Sequence, residues 1–423
     1  MKLKKLALLF FIGMSSVFGQ QKITVESIFT GAFRTKGMDA LQAMNTTNQY
    51  TVLNPNQARN GQQIDLYDYA SLKKVATLID TKDFPQLSDG IDSYSFSEDE
   101  KLMLIANNTQ PIFRHSFTAD YFLYNITSKQ LVKLFDFPVQ EPTLSPDGKK
   151  IAYAKDNNLF VYDIASKTTT SITTDGKKNS IINGITDWVY EEEFAFVKAF
   201  DWSADSKKIA FIRFDESEVP EFSMSIFQKE LYPKVETFKY PKAGEKNAVV
   251  SLHIYDVASQ AKKDVNLGNY SDFYIARMQW TNDANVLSAQ VLNRHQDNLD
   301  LLFIDGTTAA AKVVLNEKDK SYIDVTDNLT FLKDNSFIWT SEKDGFNHIY
   351  LYDKTGKLIN QVTKGNWEVT NYYGFDEKTK TIFYQSVENG SINRDIYRIG
   401  LDGKNKVRLS SKVGTSAATF SPN

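Results

Sequence analysis

The chain has no cysteine, only ten prolines and only four histidines in 423 residues. Without cysteine there is no disulfide, no thiolate metal ligand and no thiol nucleophile. His115, His253, His295 and His348 each sit in or beside an expected strand, and none lies near a nucleophile-and-acid set. A structural role is expected for all four. No Gly-x-Ser-x-Gly elbow occurs, so no catalytic serine is assigned. There is no Gly-rich phosphate loop and no His/Cys/Asp cluster with metal spacing, so no catalytic residue, cofactor or metal is expected. A formal net charge of −3 argues against nucleic acid as a partner. Few prolines and no low-complexity tract argue against a disordered linker. After the N-terminus, no apolar run is long enough to cross a bilayer.

What is present is apolar and aromatic. Hydrophobic residues make up 42% of the chain, with 21 Tyr and 29 Phe. That composition suits a sheet-rich fold with a large core. Residues 1–19 read as a signal peptide. Three lysines precede the apolar run 6–12, and Val17-Phe18-Gly19 supplies a cleavage site before Gln20. The protein is therefore expected to be exported, periplasmic or extracellular, with an uncleaved N-terminal anchor as the alternative. Residues 20–423 are left for the fold.

A repeat organises those residues. An aromatic or Leu is followed by a Ser-x-Asp-type turn and then an alternating apolar strand, as in Leu144-Ser145-Pro146-Asp147-Gly148-Lys149-Lys150-Ile151 and Trp202-Ser203-Ala204-Asp205-Ser206-Lys207-Lys208-Ile209. Copies start at Phe96, Leu144, Trp202, Trp280, Phe331, Phe375 and Phe420, with steps of 48, 58, 78, 51, 44 and 45 residues. A later strand often closes on Tyr-Asp, as at Tyr162-Asp163, Tyr255-Asp256 and Tyr352-Asp353. A period near 45 residues with about four strands marks a β-propeller blade, whereas a β-sandwich would not repeat the turn at this interval. The Ser and Asp residues of these turns are assigned geometry, not chemistry. Seven blades are expected, one before Phe96 and six after. An eighth opens at Phe420 and is cut four residues later, so the expected all-β fold is a propeller truncated at the start of its last blade. A gap there would leave strand edges uncovered.

The 78-residue step carries roughly 25 extra residues, falling at about 222–247. They contain Leu231-Tyr232-Pro233-Lys234 and Tyr240-Pro241-Lys242. A hairpin arm projecting from the blade is expected there.

The remaining signal is Asp187-Trp188-Val189-Tyr190-Glu191-Glu192-Glu193-Phe194. Successive helical residues project about 100° apart, so two of the three glutamates can face one cavity while the third faces elsewhere. Two carboxylates together suit an ammonium group. A solvated acidic turn is the alternative for such a charge run.

Ile185-Thr186-Asp187-Trp188-Val189-Tyr190-Glu191-Glu192-Glu193 resembles the signature of the dipeptidyl peptidase IV family of secreted serine exopeptidases. Arg114-His115-Ser116-Phe117-Thr118-Ala119 and the two Tyr-Pro-Lys segments resemble the same family, and the likeness runs from about Asp92 to the C-terminus. The resemblance implies an eight-bladed propeller followed by an α/β-hydrolase domain, which this chain lacks. It implies that Glu192 and Glu193 hold the free amino terminus of a peptide substrate, that Arg114 contacts a substrate carbonyl, and that Glu191 is structural. All three site residues would line the inner opening. It implies a homodimer made through the 222–247 arm. Where some members carry a Phe-Arg pair, this chain reads Ser321-Tyr322-Ile323-Asp324-Val325-Thr326-Asp327-Asn328. The expectation is the substrate-recognition and gating propeller of an enzyme that removes N-terminal X-Pro or X-Ala dipeptides, inactive by itself. The alternative is a non-catalytic periplasmic propeller that binds peptides or a protein partner.

Overall fold

The computed structural model describes residues 22–35, 37–268 and 270–421. Residues 1–19, read above as a signal peptide, lie outside them. Contacts divide the chain into two units, the first ending at Ala40 and the second starting at Leu41. Within the first, a single helical turn, Val25–Phe29, is capped reciprocally by Thr24 and Ser27. Among the described residues no helix is long and apolar enough to cross a membrane.

The second unit is a β-propeller of seven antiparallel sheets. Blade one runs from Leu41–Ala43 to Lys74–Asp80, and blade two from Ser93–Phe96 to Gln130–Lys133. Blade three runs from Gln140–Leu144 to Thr168–Ser171, and blade four from Ile181–Asn183 to Lys262–Asp264. Blade five runs from Phe273–Trp280 to Ala311–Lys318, blade six from Thr330–Phe331 to Leu358–Gln361, and blade seven from Val369–Asp376 to Val407–Arg408. The repeat aromatics close the first strand of a blade or lie near its end. Phe420, expected to open a further blade, packs its ring 4.6 Å from Phe383 and 5.5 Å from Tyr373 of blade seven.

The core lies between blades. Ile64 and Ile79 of blade one meet Met103, Ile105, Phe122 and Tyr124 of blade two. Ala152, Leu159 and Val161 of blade three meet Phe200, Trp202, Ile209 and Phe211 of blade four. A continuous cluster then joins blades four, five and six. Burying one such side chain contributes about 1.5–3 kcal/mol, so the ring is held by apolar faces that no blade can cover alone. Indole N–H groups add polar links: Trp202 Nε1 donates to Thr143 O at 3.2 Å and Trp280 Nε1 to Asp201 O at 3.1 Å.

The Ser-x-Asp turns have the structural role their spacing implied. Ser97, Ser145 and Ser203 are all but fully buried. Each hydroxyl donates to the Asp two residues on, at 2.7–2.8 Å, and accepts the N–H five residues on, at 2.9–3.0 Å. The Asp in turn accepts a backbone N–H. Removing one hydroxyl leaves a buried N–H and a carboxylate without that partner. Ser145→Ala should therefore lower stability by about 1–3 kcal/mol, read as a shift in the denaturant midpoint with an unchanged slope. A shift inside the noise would mean that water replaces the hydroxyl.

Candidate functional site

Blade four departs from the pattern in a way that creates the site. Its first strand is split: Ile181–Asn183 and Phe200–Trp202 both pair with Lys208–Asp215. The chain between them leaves the sheet at Gly184 and returns at Ala199, with Gly184 N–H bonded to Ile212 O and Ala199 N–H to Gly184 O. Gly184 has φ +74°, and a Cβ there would lie 2.9 Å from Leu159 Cδ1, so only glycine makes this exit without strain.

The excursion carries the helix Trp188–Glu193. Six residues do not hold a helix by propensity, so outside contacts hold it. Asp187 caps it, accepting Tyr190 N–H at 2.9 Å. Tyr190 is buried among Phe194, Phe196, Phe214 and Tyr274, with ring centroids 4.8–6.0 Å apart. Its hydroxyl accepts Ile275 N–H at 3.0 Å, next to the register shift in the first strand of blade five.

The three glutamates separate. Glu191 is 1% exposed, and its Oε1 accepts the backbone N–H of His115 at 2.6 Å and of Ser116 at 2.8 Å. It therefore binds the tip of the blade-two hairpin to the helix. That hairpin presents Arg114, whose Nε donates to Glu192 at 2.8 Å and 3.2 Å. Glu193 is exposed and makes no hydrogen bond or ion pair among the described residues. Its charge is felt by Tyr322, whose phenol is raised first by burial, then by Asp324 and last by Glu193. Tyr322 lines a polar cavity of about 1170 Å³ together with Asp319, Asp324, Glu342 and Glu368. The stretch 321–328 lines that cavity throughout. Arg114 and Glu192 are brought into contact, and Glu193 is the next residue on the same helix but is not bonded to either.

The 222–247 insertion is a separate two-stranded sheet, Glu221–Ile226 paired with Lys234–Lys239. Its root packs against the helix: Trp188 lies 4.5 Å from Tyr240 and 6.4 Å from Phe238, and Phe113 lies 5.7 Å from Phe238. Its turn leaves Phe227, Leu231 and Tyr232 about 80% exposed or more.

Below this hairpin is a second cavity, of about 630 Å³, lined by Asp187 and Trp188 but not by Arg114, Glu192 or Glu193. Glu216 also lines it and is 6% exposed. In the sequence it sits in Asp215-Glu216-Ser217-Glu218, which looks like a solvated acidic turn. Burial and, secondarily, the charge of Asp187 push its carboxyl up to about 7, while Lys239 opposes the shift. Burial also raises Asp187 to about 6, against its hydrogen bonds from Tyr190 and Val189. The histidines with side-chain bonds are structural: His253 pairs with Asp264 and stacks on Phe211, and His348 is buried against Thr363 and Gly365 O.

The split strand, the tethered helix and the hairpin define the class: a β-propeller with an acidic helix set into blade four. Comparison with known proteins places it further. Residues 97–423 match the model of the dipeptidyl peptidase IV (DPP IV) N-terminal region. The chain is 30% identical to a probable dipeptidyl-aminopeptidase B of Tuber melanosporum, over 95% of this chain and 49% of that protein. It is 30% identical to dipeptidyl aminopeptidase B of Saccharomyces cerevisiae, over 75% of this chain and 41% of that one. The crystal structure of Porphyromonas gingivalis dipeptidyl peptidase 4 superposes with a TM-score of 0.89 at 38% identity, over 96% of this chain and 58% of that chain. The chain belongs to the dipeptidyl peptidase IV family and is an N-terminal propeller region of it. It spans about half the length of the curated relatives it matches.

The Glu216 shift has a consequence for stability. Unfolded, Glu216 ionises near its ordinary 4.5; folded, it keeps its proton to about 7. Between those values unfolding releases a proton, so its contribution to stability falls as pH rises and levels off above 7. Glu216→Gln should match the wild type near pH 5 and exceed it at pH 8 by roughly 1–3 kcal/mol in chemical unfolding. A difference independent of pH would contradict the buried assignment.

Proposed function

We propose that this chain is the peptide-recognition part of an exported dipeptidyl peptidase, and that Glu192, Glu193 and Arg114 hold the substrate's amino-terminal end. The observation that carries the reading is the Arg114–Glu192 pair, on a helix that Glu191 ties to the arginine's own loop. Arg114 engages Glu192 through Nε alone, and its two terminal nitrogens make no hydrogen bond among the described residues. Those nitrogens are donors available to a carbonyl oxygen. Glu192 and Glu193 are consecutive carboxylates at one helix end, and an α-ammonium has three donors to share between them. Capturing that ammonium at a set distance from a nucleophile counts residues from the chain end. Hydrolysis of an X-Pro or X-Ala bond would then belong to a serine hydrolase domain elsewhere in the longer protein, acting on the end held here. The hairpin would contribute to a homodimer contact.

In that longer enzyme, Glu192→Gln and Glu193→Gln should each lower kcat/KM for dipeptide anilides by roughly 10–150-fold, the loss of a charge-assisted hydrogen bond worth about 1.5–3 kcal/mol. Near-wild-type values in both variants would reduce the glutamates to a solvated turn. Deleting residues 231–242 should shift the enzyme toward monomer in sedimentation. The hairpin need not be the whole contact, since stable interfaces bury about 1,200–2,000 Å². A dimer unaffected by the deletion would remove the hairpin from the interface.

A further inference from the structure

The cavity beneath the hairpin plays no part in the peptide-recognition reading. Its walls include Ile112, Phe113, Ile182, Trp188, Val197 and Phe238, contributed by blade two, blade four and the hairpin. Trp188, Phe113 and Phe238 bring three aromatic rings to one side of it. Most polar groups on the lining are committed or lie at the mouth. Asp187 accepts the helix N–H of Tyr190. Lys239 donates to Val219 O and Ser217 O at the root of the hairpin. Lys155 pairs with Asp156. Lys177, Lys178 and Glu236 are exposed.

Glu216 is different. It is more than nine-tenths buried, lines the cavity, and no hydrogen bond or ion pair to its carboxylate occurs among the described residues. A buried carboxyl without a partner is costly, and it is normally matched by a donor. Here the open side is the cavity. A carboxylate in an apolar, aromatic-walled space of this size fits one ligand chemistry well: an ammonium, which pairs with the acid and is attracted to aromatic faces, on an apolar stem that covers the walls.

We propose that this cavity binds a small primary amine on an apolar stem, with its ammonium on Glu216 and its stem against Phe113, Trp188 and Phe238. The site is separate from the Arg114–Glu192 pair, which does not line it. The charged groups acting on Glu216 are Asp187 from the helix, Lys239 from the hairpin and Asp215 from its own strand, and Glu236, Lys155, Asp156, Lys177 and Lys178 line the same cavity. Lys177 and Lys178 are exposed to water. The second buried carboxylate, Asp187, adds negative potential at depth.

The test uses the full chain and 2-phenylethylamine, titrated by calorimetry at pH 6, 7 and 8. The amine stays cationic across this range, so the affinity should follow the ionisation of Glu216 and rise about tenfold from pH 6 to pH 8. Glu216→Gln should weaken binding at pH 8 by about tenfold or more, while Glu98→Gln, at an exposed turn of blade two outside the cavity, leaves it unchanged. Neutral 2-phenylethanol should bind more weakly and without pH dependence. The proposal is overturned by a flat pH profile, by equal affinity in Glu216→Gln, or by no binding up to about 10 mM. Should Glu216→Gln fail to fold by circular dichroism, the wild-type pH profile and the neutral analogue decide alone.

Discussion

The site depends on one carboxylate, that of Glu191, which is spent on backbone rather than left open. Glu191 Oε1 accepts two consecutive backbone N–H groups, those of His115 and Ser116. Those groups sit at a hairpin tip in blade two, and the acid sits on a helix in blade four. A buried carboxylate with two such donors is well satisfied, and either component without the other would be left with unpaired polar groups. The bond therefore locks two distant pieces of chain in one arrangement. Arg114 is the residue before His115 and Glu192 the residue after Glu191, so their contact follows from that lock.

Around this lock the blade gives up sheet regularity. The first strand of blade four is broken for the helix to exist, and what would have been strand pairing is replaced by the Asp187 cap, the Tyr190–Ile275 bond and an aromatic cluster. Gly184 makes the break possible. The neighbouring blades keep four unsplit strands each and are held by apolar faces and by the repeated Ser-x-Asp turns. A stiff ring thus supports a short, irregular element, which is how a fold with little chemistry of its own positions a few side chains accurately.

The hairpin and the cavity beneath it come from the same region. Trp188 forms part of the helix, part of the cavity wall and the platform for Tyr240. The hairpin root thus packs directly on the helix that carries Glu191, Glu192 and Glu193. Glu216 stands at that root, directly after the strand Lys208–Asp215.

Much of this was legible in the order of residues. Periodic aromatics, Ser-x-Asp turns and Tyr-Asp strand ends define seven blades, because a blade needs a turn and an alternating strand at regular spacing and leaves that trace in the chain. The extra residues of the 78-residue step mark a hairpin for the same reason: they have no place in a four-stranded sheet. The run of three glutamates was visible too, along with the likeness that set Glu191 apart from its neighbours. What the order of residues could not decide was where each carboxylate goes. Glu191 lies against backbone N–H groups about 75 residues away, Glu192 lies on Arg114, and the Glu193 carboxylate is left exposed. Glu216, in an ordinary-looking acidic turn, is buried. Charge in a sequence is local, whereas desolvation and pairing depend on which distant segments fold against it, and only the packing of blade on blade determines that.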